Sequence, residues 1–130
     1  MGGIQMAKNL DITVYLDFYG EMLTDKQREY LDYYYNDDLS LSEIANNIPY
    51  GEKGRSRQAV RDVIKRAEGQ LIEMETKLGL VKRFMTVQEG LNEIIECAEI
   101  INKTNLNFGL SREINDAVIK IKAIAGNLAD

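Results

Sequence analysis

The sequence of 130 residues contains no histidine, one cysteine and one proline. A lone thiol, Cys97, cannot form an internal disulfide, which is typical of a reducing compartment and predicts a cytoplasmic protein. The lack of histidine excludes a zinc site built from the usual ligands, and it excludes histidine-dependent acid–base or triad catalysis. Because no apolar run of about 18 residues occurs, we expect no membrane insertion.

The chain also lacks the residue groupings of an enzyme. It has no nucleophile–base pair, no glycine-rich phosphate loop and no cluster of metal ligands, so we predict no catalysis, no cofactor and no metal. Asp37 and Asp38 are adjacent acids in a predicted turn before a helix, where carboxylates are usually solvated. Cys97 has no basic neighbour, which favours a small, partly buried apolar residue over a reactive thiol.

What the sequence does contain is helical periodicity. Hydrophobic residues make up 45% of the chain and charged residues 28%, as in globular proteins. Apolar side chains recur with the period of a helix, which predicts an all-α fold. We predict a helix-turn-helix domain over residues 7–80 and a C-terminal helical hairpin over residues 81–130. The segment Met1 to Met6 has no secretory core, and we expect Met6 to be the natural start.

Local signals divide the first half of the chain into helices. The first helix is predicted from Asp11, its N-cap, to Leu23. Its buried stripe is predicted at Tyr15, Phe18, Tyr19, Met22 and Leu23. Capping boxes at 24–27 and 40–43 begin the second and third helices, and Pro49 ends the third. We predict that the second helix runs to about Tyr35.

Four tyrosines in the second helix have two interpretations. They could form a platform on which nucleic-acid bases stack. They could also form the aromatic core and rim of a small helical domain, with their hydroxyl groups at the surface. The second interpretation is favoured. The four residues are Tyr30, Tyr33, Tyr34 and Tyr35.

A long fourth helix is predicted after a loop over residues 49–55. Ser56 is its N-cap and Gly79 its C-cap. Apolar residues follow at alternating steps of four and three, which makes a heptad-like seam: Val60, Ile64, Ala67, Leu71, Met74 and Leu78. A compact domain does not need the last part of this seam. We therefore predict that Leu71, Met74 and Leu78 meet either the hairpin or the same helix of a second copy. We predict a homodimer formed through these residues and the hairpin over residues 81–130.

Two more amphipathic helices are predicted after Gly79. The first carries its stripe at Val87, Leu91, Ile94, Ile95, Ala98 and Ile101. A break is predicted over residues 102–109, and Ser111 begins the last helix. That helix carries its stripe at Ile114, Val118, Ile121, Ile124 or Ala125, and Leu128. The pair is predicted to form an antiparallel hairpin.

Positive charge is concentrated in one segment of an acidic chain. The net charge is −5, but residues 51–66 carry six basic and two acidic side chains. Arg57, Gln58 and Arg61 lie on the first turns of the fourth helix, where a reader helix contacts guanine and adenine edges. The residues predicted to bind nucleic acid are Lys53, Arg55, Ser56, Arg57, Gln58, Arg61, Lys65 and Arg66. The alternative is an ordinary solvated helix face.

Several segments resemble known protein families. Those similar to region 4 of bacterial sigma factors are Leu23–Leu31, Leu41–Ala45, Ser56–Val60 and Ile64–Ala67. Those that resemble the YlxM family of small bacterial proteins are Asp17–Gly20, Tyr33–Ser40 and Lys77–Leu80. The resemblance covers roughly residues 10–82. It implies a sigma-region-4-like helix-turn-helix domain with a long fourth helix.

The resemblance also implies a function. YlxM proteins are encoded beside the GTPase of the signal recognition particle, which implies a role in that pathway with DNA, or RNA, and particle components as partners. The alternative is an adaptor that binds the GTPase or RNA polymerase. The segment 46–55 is about five residues longer than the family pattern, and Arg55 replaces a small apolar residue. The longer loop either adds phosphate contacts through Lys53 and Arg55 or loosens the docking geometry.

Overall fold

A computed structural model describes residues 8–129, so residue 7 and the predicted start at Met6 lie outside the described residues. The described part is helical and has no strand, which confirms the all-α prediction. Its six α-helices are α1 (Asp11–Tyr19), α2 (Asp25–Leu31), α3 (Leu41–Asn47), α4 (Arg57–Leu78), α5 (Leu80–Asn107) and α6 (Arg112–Ala129). The chain divides into two compact units, with the boundary between Val81 and Lys82. No helix within residues 8–129 is long and apolar enough to span a membrane.

The start of α1 differs from the prediction. Asp11 is the first helical residue, and Leu10 occupies the N-cap position without a capping side chain. The Asn9 side chain instead accepts a hydrogen bond from the Asp11 amide at 3.0 Å. An asparagine side chain commonly accepts a hydrogen bond from the amide two residues later. Asn9 therefore takes the capping role that was predicted for Asp11. Beyond Tyr19 the helix tightens into a 3₁₀ turn, Gly20–Met22.

The buried face of α1 also differs from the predicted stripe. Its buried residues are Ile12, Leu16 and Tyr19. Phe18 is 40% exposed and Met22 is 67% exposed, so two predicted core residues lie at the surface. Apolar residues occupy almost every side of this helix, and periodicity alone could not single out the side that packs against α4.

The capping signals of α2 and α3 are confirmed. The Thr24 hydroxyl accepts from the Gln27 amide at 3.2 Å while the Gln27 side chain accepts from the Thr24 amide at 3.1 Å. Ser40 and Glu43 form the same reciprocal pair at 3.1 and 3.2 Å. Ile48, the residue before Pro49, is extended and ends α3 as predicted. These boundaries depend only on local chemistry.

The core of the first unit is built around α4. Helices α1, α2 and α3 each pack against it. The tyrosines of the second helix belong to this core and its rim, as favoured from the sequence, and a π-helical turn, Asp32–Asn36, carries three of them. The buried cluster comprises Ile12, Leu16, Tyr19, Leu23, Tyr30, Leu31, Tyr34, Leu41, Ile44, Ala45, Ile48, Val60, Ile64, Ala67, Leu71 and Val81.

This core reaches further along α4 than the sequence predicts. Leu71 has no exposed surface and belongs to the same cluster as Val81, while Met74 packs against that cluster and is partly buried. The assumption that a compact domain leaves Leu71 uncovered was therefore wrong. Of the three residues predicted for an oligomer interface, only Leu78 is exposed, at 55%. The homodimer itself stays a prediction.

One carboxylate organises the turn from α4 to α5. Glu75 Oε1 accepts from the Tyr19 hydroxyl at 2.6 Å and from the Val81 amide at 3.0 Å, while the Tyr19 oxygen accepts from the Leu80 amide at 3.2 Å. The first amides of α5 are thereby satisfied. Gly79 ends α4 in the left-handed conformation at φ 62°, which glycine adopts without strain. Burial raises the pKa of the Tyr19 hydroxyl, which therefore remains a donor.

We expect Glu75→Ala to lower the free energy of unfolding by about 1–3 kcal/mol, because it leaves the Val81 amide and the Tyr19 hydroxyl without their acceptor. Urea unfolding followed by circular dichroism measures the change. Glu73→Ala is the matched control on the same helix. Glu73 pairs with Lys77 at the exposed surface, so its loss should leave the stability nearly unchanged. Equal effects of the two substitutions would contradict the role assigned to Glu75.

A buried carboxylate lies on the core side of α4. Glu68 is 7% exposed, and its Oε1 accepts a hydrogen bond from the Tyr35 hydroxyl at 3.0 Å. Burial raises the pKa of Glu68 above its ordinary value of 4.5, although the hydrogen bond from Tyr35 and the charge of Lys65 act in the opposite direction. Burial and the Glu68 charge raise the pKa of Tyr35, so this hydroxyl stays protonated and continues to donate.

The raised pKa of Glu68 makes stability depend on pH. The folded chain binds the Glu68 proton more tightly than the unfolded chain, so this contribution is complete below pH 4.5 and is lost as pH rises through the folded pKa. We expect native protein to lose stability relative to Glu68→Gln over that range, since glutamine accepts the same hydrogen bond without ionising. Urea unfolding from pH 4.5 to neutrality tests this. The control is Glu73→Gln. Because the pKa of Glu73 is lowered in the folded chain, the difference in stability between native protein and this variant should stay constant over the same pH range.

The second unit is an antiparallel helical hairpin, as predicted. The Gln88 side chain donates to the Ala129 carbonyl at 3.1 Å at its open end, and Lys122 lies 3.6 Å from Glu99 further along. At the closed end, Asn105 donates to the Ser111 carbonyl at 3.0 Å.

The predicted break over residues 102–109 was wrong, because α5 continues to Asn107. Asn105 is a turn-favouring residue by composition, yet it is 7% exposed inside the helix. Its side chain donates to the Ser111 carbonyl and accepts from the Ser111 amide at 2.9 Å, which holds the start of α6. A tertiary hydrogen bond therefore overrides the local preference of asparagine for turns.

Candidate nucleic-acid interface

The helix-turn-helix element consists of α3, the loop over residues 48–56 and the first turns of α4. Ser56 begins α4 as predicted, since its hydroxyl accepts from the Ala59 amide at 3.1 Å. Val60 and Ile64 have no exposed surface and bind α4 to the core. The same helix therefore presents a fixed outer face to solvent.

Three predicted cationic residues share this outer face. Arg57, Arg61 and Lys65 are exposed and follow one another at steps of four residues, which places them in one row along α4. Within residues 8–129, neither Arg57 nor Arg61 forms an ion pair with an acidic side chain. We call these three residues the cationic row. The two guanidinium groups are free to contact phosphates or base edges.

The remaining predicted cations are placed differently. Arg66 is exposed but follows Arg57 by nine residues, or two and a half turns, so it lies on the other side of α4 from Arg57. Lys53 is exposed in the loop before α4. The predicted set therefore does not converge on a single surface, and Arg66 lies apart from the cationic row.

Gln58 already has a partner on the outer face. Its Nε2 donates to Asp62 Oδ1 at 2.9 Å. Prediction from the sequence missed Asp62 as part of the site, although the spacing of four residues between the two side chains was visible. To bind the edge of an adenine, the Gln58 amide would have to leave Asp62. The Asp62 carboxylate also opposes the approach of phosphate.

Arg55 closes the long loop. Its Nε donates to the Ile48 carbonyl at 3.2 Å, and its guanidinium carbon lies 4.9 Å from the centre of the Tyr50 ring. The side chain thus joins the end of α3 to the start of α4 across seven residues. Gly54, at φ 84°, permits the turn that brings Arg55 back. This bond limits how far the longer loop can loosen the element.

Tyr50 is a second residue that the sequence prediction missed. It is 91% exposed at the tip of the loop, with one ring face near the Arg55 guanidinium. An exposed aromatic ring beside a cation suits stacking against a nucleotide base. Its only signal in the sequence is an aromatic residue in a loop rich in glycine.

A groove of about 400 Å³ adjoins the start of α4. Its lining includes Lys8, Asp38, Ser42 and Arg57. Lys8 Nζ bonds Asp38 at 2.6 Å, and this hydrogen bond lowers the pKa of the Asp38 carboxyl. Asp38 neutralises Lys8. Arg57 is the other cation that lines the groove, and it has no acidic partner in the described part of the chain.

Comparison with known proteins gives a matching family model and several similar proteins. A family model described as "Putative helix-turn-helix protein, YlxM / p13 like" matches residues 6–108. The UPF0122 protein of Thermoanaerobacter sp. is 42% identical over 112 residues, which cover 86% of this chain and 85% of the relative. The UPF0122 protein of Clostridium kluyveri is 44% identical over 91 residues, which cover 70% of this chain and 78% of the relative. That of Shouchella clausii is 48% identical over 89 residues, or 68% and 77%.

Proposed function

Because the chain belongs to the UPF0122 family of YlxM / p13-like helix-turn-helix proteins, we propose that it is a regulatory protein that binds nucleic acid through α4. The observation that carries the proposal is the pair Arg57 and Arg61. Both are exposed on the first turns of α4 and lack acidic partners within residues 8–129. The family is one of helix-turn-helix proteins and not of enzymes.

Each residue has a distinct role in this proposal. Arg57 and Arg61 contact base edges, where arginine binds guanine O6 and N7 with two hydrogen bonds. Lys65 and Lys53 contact phosphates, which position the protein without selecting sequence. Tyr50 stacks on a base beside the loop. Ser56 and Arg55 shape the site, since the Ser56 hydroxyl caps α4 and Arg55 holds the loop.

The acidic remainder of the chain shapes the conditions for binding. With a net charge of −5, binding depends on the local excess of positive charge over residues 51–66. We expect affinity to fall as salt concentration rises, with a logarithmic slope of about −2 for duplex DNA if Lys53 and Lys65 each supply a phosphate contact.

A binding titration over a salt series tests this proposal. The probes are the duplex upstream of the protein's own operon, a random duplex of equal length and the RNA of the signal recognition particle. Tighter binding of one probe identifies the target. If none of the three binds at the lowest salt concentration, the proposal fails.

A finer proposal is that the protein acts as a cytoplasmic homodimer in the signal recognition particle pathway, and the resemblance to YlxM proteins supports the assignment to that pathway. Purified particle GTPase, with and without its RNA, is mixed with tagged protein and the complex is recovered. Recovery that requires the RNA fits a nucleic-acid contact. Recovery of neither component contradicts this placement in the pathway.

A second candidate function is that of an adaptor for a basic protein partner. Residues 1–50 carry nine acidic and three basic side chains, so the surface before the loop is acidic. Such a surface favours a basic partner such as the GTPase or RNA polymerase. Recovery of either partner after nuclease treatment, unchanged by substitution of Arg57 and Arg61, would favour the adaptor over the nucleic-acid-binding function.

A further inference from the structure

The hairpin leaves most of its apolar residues uncovered. The apolar residues that it buries fully are Ala98, Val118 and Ala125, all small or medium-sized, while Leu91 and Ile95 are partly buried. Contact between two helices that rests on so little apolar surface is weak, because burial of apolar area is the main force that holds helices together. The uncovered residues are therefore the feature of this unit that needs an explanation.

Six of the uncovered residues form two regular rows. On α5 they are Val87, Ile94 and Ile101, which are 49%, 48% and 49% exposed. On α6 they are Ile114, Ile121 and Leu128, which are 42%, 39% and 63% exposed. Steps of seven residues keep each row on one side of its helix, as in the contact seams of helical bundles.

Both rows lie on the same side of the hairpin. Ile94 and Ile101 stand four residues before and three residues after the buried Ala98. Ile114 and Ile121 stand in the same relation to the buried Val118 on α6. In an antiparallel pair, residues that stand at the same number of positions before or after the buried contact residue of their own helix lie on the same side of the pair. We call the six residues the hairpin face.

The opposite side of the hairpin is mixed, since Ile95, three residues before Ala98, lies there partly buried among polar residues. Asn102 and Lys122 stand four residues after Ala98 and Val118, and Asn115 stands three residues before Val118. Lys122 there pairs with Glu99 at 3.6 Å. This side therefore carries polar groups and one partly buried isoleucine, whereas the hairpin face consists of six exposed apolar residues.

We propose that the hairpin face binds the same face of a second copy, so that two hairpins form a four-helix bundle. Two-fold symmetry places identical surfaces against each other, which requires a surface complementary to itself. The hairpin face meets this requirement because none of its six residues is charged, so two acidic chains can meet there without repulsion.

The borders of the hairpin face also fit a second helix pair. The positions beside the α5 row are Gly90, Cys97 and Thr104, and Ala117 stands beside the α6 row. Small, uncharged side chains at these positions allow helices of a second copy to approach closely. A partner recognised by charge would find no ion-pairing group here, which argues for a second copy over an acidic or basic protein.

The hairpin face supplies more than half of the area that a standard dimer interface buries on each partner. Six aliphatic side chains that are each about half exposed amount to roughly 500 Å² of apolar surface per copy, against about 800 Å² per partner in a standard interface. Leu110 and Ile124, which are 64% and 50% exposed at the border, supply more. The pairing would leave the opposite sides of both hairpins in solvent.

This inference deepens the proposed homodimer and rests on it, but it does not require nucleic-acid binding. It narrows the predicted interface to the C-terminal hairpin, since Leu71 is buried in its own chain.

Sedimentation velocity of the full chain over a range of concentrations tests the inference. We expect native protein to dimerise and Ile94→Glu with Ile121→Glu to weaken dimerisation by at least about a hundredfold. The matched control is Ile100→Glu with Ile119→Glu, which introduces the same charges at residues that are 65% and 59% exposed and lie off the hairpin face. The control should dimerise as native protein does.

A milder variant guards against unfolding by the introduced charges. Ile94→Ala with Ile121→Ala keeps the helix propensity of both sites high, so helix content should persist in circular dichroism while dimerisation weakens by about tenfold or more. Monomeric native protein, or equal dimerisation of all variants, would overturn the inference. So would monomeric protein that binds neutral lipid vesicles through this face. Loss of nucleic-acid binding by Arg57 and Arg61 variants that remain dimeric would concern the proposed function alone.

Discussion

Substituting Arg57 and Arg61 together by alanine should weaken nucleic-acid binding by about 30-fold or more at low salt, because each exposed arginine supplies about 1–3 kcal/mol of contact energy. The logarithmic salt slope should stay close to that of native protein, since Lys53 and Lys65 keep their phosphate contacts. Titration of a labelled duplex or RNA, followed by fluorescence anisotropy, measures both quantities.

The control for this experiment removes the same charge from another place. Lys103→Ala with Arg112→Ala substitutes two exposed cations of the hairpin and lowers the net charge equally. A comparable loss of affinity in this control would show that total charge, and not the cationic row, governs binding. Arg57→Lys with Arg61→Lys retains charge but loses the two-pronged geometry of the guanidinium, so it separates base contacts from phosphate contacts.

Leu71→Ala should lower the free energy of unfolding by about 2–5 kcal/mol, because it opens a cavity at a side chain with no exposed surface. Leu78→Ala, two turns further along the same helix, should change it by less than about 0.5 kcal/mol, because Leu78 is 55% exposed. Urea unfolding at a low protein concentration measures both changes in the same chain.

This pair of leucines separates two accounts of the seam along α4. If the end of the seam served only an oligomer interface, both substitutions would leave the isolated chain equally stable and would weaken dimerisation alike. Burial of Leu71 together with Val81 instead predicts a loss of stability at every protein concentration. A Leu71→Ala protein as stable as Leu78→Ala would contradict that burial.

The local boundaries of the first unit were predictable because their causes are local. The hydroxyls of Thr24, Ser40 and Ser56 cap helices through amides only three residues away. Pro49 and Gly79 act through their own backbone geometry. No distant residue is needed for any of these, which is why residue type and spacing sufficed.

The site was predictable in part for the same reason. Spacing along one helix places Arg57, Arg61 and Lys65 in a row whatever surrounds them. The bond from Arg55 to the Ile48 carbonyl and the exposure of Tyr50 depend on the path of the loop, which has no regular period. Prediction therefore found the cations and missed how the loop orders them.

By itself the sequence determined the all-α class, the caps, the family resemblance and the concentration of positive charge over residues 51–66. Tertiary structure alone decided which side of α1 is buried, how far the core extends to Leu71, and that Asn105 continues α5 while it holds the start of α6. The physical reason is the range of the forces. A cap or a charge row arises among neighbours in the chain, whereas burial depends on which distant surface arrives to exclude water.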